Sequence, residues 1–102
     1  MMDAFQAALE HARAEAPKES CGFIAGGEYI ACENKHSDPE NFFRIDDPRF
    51  DAAMIANQVK AVVHSHPKGP SEPSAFDTQV ASVLGVPSFL IAFDRILQVP
   101  TS

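Results

Sequence analysis

Two histidines one residue apart, His64 and His66, close the apolar run Val59-Lys60-Ala61-Val62-Val63, and ten residues separate His66 from Asp77. On a strand, residues i and i+2 project to the same side, so both imidazoles can reach one point. Asp77 falls in the first turn of a helix that the Pro- and Gly-rich stretch 68–73 can fold back beside the strand end. Two imidazole nitrogens and one carboxylate oxygen suit Zn(II), with bonds of about 2.0–2.2 Å. Three protein ligands leave the fourth tetrahedral position open, as a catalytic zinc requires. Glu19, in Pro17-Lys18-Glu19-Ser20-Cys21-Gly22, is a free carboxylate available as general base, and Ser74 can donate a hydrogen bond to a developing oxyanion.

Each piece also has an ordinary reading. An isolated His-x-His is commonly incidental, Ser74-x-x-Asp77 is a helix-capping pattern, and Glu19 alone is an acid after a helix. Together, the ordered set has a chance frequency on the order of one in several thousand from ordinary residue usage. A nucleoside deaminase would need His-x-Glu with Pro-Cys-x-x-Cys, and a thermolysin-like protease His-Glu-x-x-His; neither string is present. A Cys-His peptidase built on Cys21 would have to recruit His64 or His66.

The elements that must position these residues follow from periodicity. Ala4, Phe5, Ala8, Leu9 and Ala12 recur at helical spacing between Asp3 and Ala16, and Pro17 stops that helix. Residues 21–25 and 28–32 read as two strands joined by the turn Gly26-Gly27. Pairing Ala25 with Glu28 places Cys21 opposite Cys32, within the span a disulfide tolerates, although two cysteines without Cys-x-x-Cys fit a reducing, cytoplasm-like compartment better. Residues 42–45 read as a third strand. Asp46-Asp47-Pro48 opens a helix ending near Asn57 to Gln58, a buried strand covers 59–63, and Ser74 to Gly85 forms the next helix. Two last strands, 88–93 and 96–99, flank an Asp94-Arg95 turn. Helices among short apolar strands predict an α/β domain, a mixed sheet flanked by helices.

The 102 residues set the scale of one domain, 1–102. A net charge of -6, with eleven acids against five bases in residues 1–51 and three of each thereafter, offers no basic stripe for nucleic acid or an anionic membrane. No apolar run approaches the roughly 20 residues of a membrane helix.

The sequence resembles the JAMM (MPN+) metallopeptidase family, whose pattern is an upstream Glu, then His-x-His-Pro, then Ser-x-x-Asp. Here these are Glu19, His64-Ser65-His66-Pro67 and Ser74-Ala75-Phe76-Asp77. Residues 17–24 resemble the opening strand of bacterial and phage members, and 41–46 their F-x-I-D segment. The resemblance implies a cytidine-deaminase-like fold and a zinc hydrolase cutting peptide or isopeptide bonds, often beside the C-terminus of ubiquitin or a ubiquitin-like protein. It implies His64, His66 and Asp77 as ligands, Glu19 as base and Ser74 as oxyanion donor. Its short prokaryotic group includes the N-terminal domain of phage tail-assembly proteins, in which an NlpC-type peptidase domain follows. A non-catalytic MPN-like scaffold in tail assembly is the alternative.

Overall fold

A computed structural model describes residues 3–101; Met1, Met2 and Ser102 lie outside the described residues. The chain runs α1 (Ala4–Glu15), β1 (Cys21–Ala25), β2 (Glu28–Cys32), α2 (Pro48–Ile55), β3 (Ala61–Ser65), α3 (Ala75–Leu84), β4 (Ser88–Ala92) and β5 (Arg95–Gln98). The five strands form one mixed sheet in the order β2-β1-β3-β4-β5, with β3 and β4 parallel and the other pairs antiparallel. This is the α/β architecture that the alternation of helical and strand periods predicts.

The sheet is sandwiched because its strands are apolar on both faces. Ile24, Ala61, Val63 and Ile91 pack under Ala8 and Ala12 of α1. Phe23, Val62 and Cys21 face the opposite way, against Phe50 and Ala53 of α2, with Phe76, Val80 and Leu84 of α3 beside them. Each helix starts on an acceptor side chain: Asp3 for α1, Asp47 with Pro48 behind it for α2, Ser74 for α3.

The β1–β2 register is the one that the two-residue glycine turn dictates, Ala25 with Glu28 and Cys21 with Cys32. Both cysteines are free and buried. Burial pushes the Cys21 thiol up to about 12 and that of Cys32 to about 11. Gly22 is required by packing: a Cβ there would stand 2.5 Å from the Ile30 carbonyl oxygen and 2.5 Å from the Tyr29 ring. That ring crosses β1 to place its hydroxyl 2.6 Å from His11 Nδ1, tying α1 to the hairpin. Gly22→Ala should therefore cost about 1–3 kcal/mol through overpacking, read as a melting temperature lower by roughly 4–8 °C per kcal/mol. An unchanged melting temperature would show that the ring and carbonyl yield freely.

The expected third strand, residues 42–45, does not form. Only Ile45 makes an isolated antiparallel bridge, to Asn34. The Asn34 side chain instead takes the backbone groups a strand partner would satisfy, donating to the carbonyls of Phe42 and Glu19 at 2.9 Å each and accepting from Arg44 N at 3.2 Å and His36 N at 3.0 Å. Three boundaries also move. α2 stops at Ile55, with Asn57 at φ 59 leading the chain away; β3 continues to Ser65; and the last hairpin turns on Phe93-Asp94, with Phe93 at φ 58.

Candidate metal centre

Strand pairing assembles the site. β1 and β3 are antiparallel with Cys21 opposite His64, and the pairing continues outward, since Ser65 N donates to the Ser20 carbonyl at 3.1 Å. The same register carries Glu19 to the level of His66. Alternation then puts Glu19, His64 and His66 on the α2/α3 side, while Ser20 and Ser65 face α1. From the other direction, α3 presents Asp77 in its first turn. A reciprocal cap holds it there: Ser74 Oγ accepts from Asp77 N at 3.1 Å, and Asp77 Oδ2 accepts from Ser74 N at 2.9 Å. The capping reading of Ser74-x-x-Asp77 therefore holds, and it fixes the carboxylate at the site. The cap uses Ser74 Oγ as an acceptor and leaves its hydrogen free for another bond.

All four ionisable side chains are almost fully buried, with exposures of 4% for Glu19, 1% for His64, 5% for His66 and 3% for Asp77. Asp77 Oδ1 lies 3.1 Å from His64 Nε2, and Oδ2 lies 2.9 Å from His66 Nε2. Glu19 Oε2 is further off, 3.9 Å from His66 Nε2. Glu19 Oε1 and His64 Nδ1 have no hydrogen-bond partner, and His64 Nε2 has only the ill-aligned Asp77 Oδ1 beside it. Leaving a buried polar group unsatisfied costs about 1–3 kcal/mol, so unsatisfied atoms on both Glu19 and His64 point to a group that the cluster would hold.

Ligand atoms of Glu19, His64 and His66 lie within 4.8 Å of one another, so these three residues form a group able to hold a metal ion. Asp77 touches both imidazoles, giving four candidate groups. Bonds of about 2.0–2.2 Å in a tetrahedron put neighbouring ligand atoms about 3.3–3.6 Å apart. The Asp77 contacts fall a little short of that spacing and the Glu19 contact a little beyond it, so spacing alone does not choose between the two carboxylates. The donor set, imidazole and carboxylate, fits zinc.

Surroundings tune each group. His66 Nδ1 lies 2.9 Å from the Pro70 carbonyl, which can only accept, so Nδ1 carries a proton and Nε2, facing Asp77, is the nitrogen a cation would take. The His64 ring stacks on Phe43, centroids 4.4 Å apart at 18°. Burial pushes the His64 pKa down, against Asp77, and keeps the ring neutral. For His66 burial acts downward too, but Asp77, the Pro70 carbonyl and Glu19 outweigh it and the pKa rises. Burial opposes ionisation of Asp77, yet the two imidazoles hold its carboxyl well below the usual range. Glu19 is pushed up to about 7, chiefly by burial, with His66 opposing.

Three contributors were not legible in the sequence. Phe43 lies in a segment the family resemblance marks, but its stacking on His64 needs the fold. Asn34 anchors the backbone of Glu19, and the Pro70 contact is a main-chain carbonyl with no side-chain signal at all.

Residues 2–100 match the family described as prokaryotic homologs of the JAB domain. A curated relative, the tail tip assembly protein K of Escherichia phage N15, is 31% identical over 91 residues, covering 85% of this chain. The chain spans about 37% of that relative's length. Among solved structures, the solution structure of a Desulfitobacterium hafniense protein superposes with a TM-score of 0.66 at 24% identity, covering 93% of this chain and 76% of that one, a likeness of fold. Among the described residues, no helix is long and apolar enough to cross a membrane.

Proposed function

The chain belongs to the family of prokaryotic homologs of the JAB domain, and from that premise we propose that it is a zinc-dependent hydrolase of peptide or isopeptide bonds acting in phage tail assembly. The observation that carries the reading is the cluster of four buried ionisable side chains in which Asp77 lies 3.1 Å from His64 Nε2 and 2.9 Å from His66 Nε2, with Glu19 3.9 Å from His66 Nε2 and its Oε1 without a partner. His64, His66 and Asp77 would hold the ion: burial keeps His64 neutral, the bond from Nδ1 to the Pro70 carbonyl turns His66 Nε2 to the site, and Asp77 is held ionised. When bound, zinc supplies Lewis acidity toward the scissile carbonyl and acidifies water toward neutrality, about pKa 7.

The chain's own residues do the rest. Glu19, buried beside His66 with an oxygen that has no partner, takes the proton from the attacking water and returns it to the leaving amine. Ser74, held at the helix start with its hydroxyl hydrogen uncommitted, donates to the oxyanion. The substrate class is a polypeptide amide, and the relative's name directs the search to proteins of the phage tail.

That same name, an assembly protein, favours a second reading, a non-catalytic module that binds a tail partner. One experiment separates the two. Zinc added to metal-free protein at 100 times Kd should stabilise it by about 2.7 kcal/mol, a rise of roughly 10–20 °C in melting temperature, and a chelator should abolish cleavage of tail proteins. A partner complex indifferent to chelator, with no thermal shift by zinc, would sink the hydrolase and leave the module.

A further inference from the structure

On the α1 face, behind the strand that carries the two histidines, lies a cavity of about 280 Å³ that the hydrolase reading does not use. Its floor is Ser65, 1% exposed, placed between His64 and His66 in sequence but pointing the other way. Leu9, Ile91 and Phe93 supply apolar walls. At the mouth, Arg13 and Asp94 form an ion pair at 3.3 Å while remaining 62% and 88% exposed.

Three observations bear on what would enter. Ser65 Oγ accepts from Ser20 N at 2.8 Å and shares a hydroxyl–hydroxyl bond with Ser20 Oγ at 3.0 Å; with Ser20 as the donor there, the Ser65 hydrogen turns to an incoming oxygen. The Arg13–Asp94 pair is of the exposed kind that contributes little, so another carboxylate can replace Asp94 at small cost. Phe93 is held at φ 58, a conformation bulky residues avoid, with 64% of its surface exposed and its ring 3.6 Å from where a Gly69 Cβ would stand. A strained, exposed aromatic at a cavity mouth is expected where strain serves binding.

We propose that this cavity binds the C-terminal residue of a polypeptide: an apolar side chain between Leu9, Ile91 and Phe93, its terminal carboxylate on Arg13 in exchange for Asp94, and a carbonyl or carboxylate oxygen within reach of the Ser65 hydroxyl. The volume is of the order of one such residue. The site stands apart from the metal centre and does not depend on its turnover.

The test is an NMR titration of the isotopically labelled chain with N-acetyl-leucine, N-acetyl-leucine amide and free leucine. N-acetyl-leucine should produce saturable shifts at the amides of Leu9, Ser65, Ile91 and Phe93, and the neutral amide should bind about 5-fold more weakly. Asp94→Asn, which frees Arg13 of its competitor, should tighten the acid by about the same factor and leave the amide unchanged. Arg13→Gln should bring the acid down to the amide, and Phe93→Gly should weaken both. Equal affinity for acid and amide, no response to Asp94→Asn, free leucine binding as well as the acetylated form, or shifts confined to His66 and Asp77 would each overturn the proposal.

Discussion

His66→Ala should purify without zinc while the unsubstituted chain binds one ion per molecule. His66 is the residue on which the site's arrangement converges: Nε2 lies 2.9 Å from Asp77 and 3.9 Å from Glu19, and Nδ1 is oriented by the Pro70 carbonyl. On the proposed assignment, removing the ring deletes a direct ligand, so the affinity loss should exceed the roughly 10–100-fold that losing a supporting hydrogen bond costs. Cleavage should fall with it. The fold should survive, because the strand around His66 is held by the main chain, His66 N donating to the Ile91 carbonyl at 2.9 Å and Ser65 N to that of Ser20 at 3.1 Å. Circular dichroism would verify that before metal is counted. His36→Ala is the matched control, since His36 packs against Phe42 and Phe76 outside the cluster. Equal zinc in His66→Ala and the unsubstituted chain would remove His66 from the ligand set.

That the histidines share a site is readable from the strand period alone, and the approach of Asp77 from a ten-residue loop and a helix start. The β1–β2 register is equally readable, because a two-residue glycine turn permits one pairing. Glu19 is different. Its place beside His66 depends on β1 pairing with β3 across the chain from Gly26 to Lys60, and no local pattern states that pairing; the residues offered it only as an available carboxylate, and the family resemblance implied its role as base. The missing third strand and the shifted last turn have side-chain causes that composition hides. Asn34 satisfies the backbone around 42–44 in place of a neighbouring strand, and Phe93 occupies a left-handed position where Gly, Asn or Asp would be expected.

Glu19→Gln should retain zinc and lose turnover by about 100- to 10,000-fold, the range of general acid–base catalysis. Two ligand sets fit the cluster, His64 and His66 with Asp77 or with Glu19, and paired substitutions sort them. With Asp77 as ligand, Asp77→Asn weakens metal binding severely and Glu19→Gln leaves it near normal; the reverse pattern would transfer the base to Asp77. Protonation adds an independent check in the metal-free protein. Folding raises the Glu19 carboxyl from its ordinary 4.5 to about 7, so the native state binds its proton more tightly than the unfolded chain. The stability from that proton is complete below pH 4.5 and is lost as pH rises to about 7, a drop of about 3 kcal/mol by linkage. Glu19→Gln removes this slope, so the variant should gain on the unsubstituted chain in chemical denaturation as pH rises from 4.5 to 8. With the cation bound, its charge favours the carboxylate and lowers that pKa, placing the acid limb of the kcat/KM profile below pH 7. A substitution that left both the limb and the stability slope unchanged would mean that the working proton resides elsewhere.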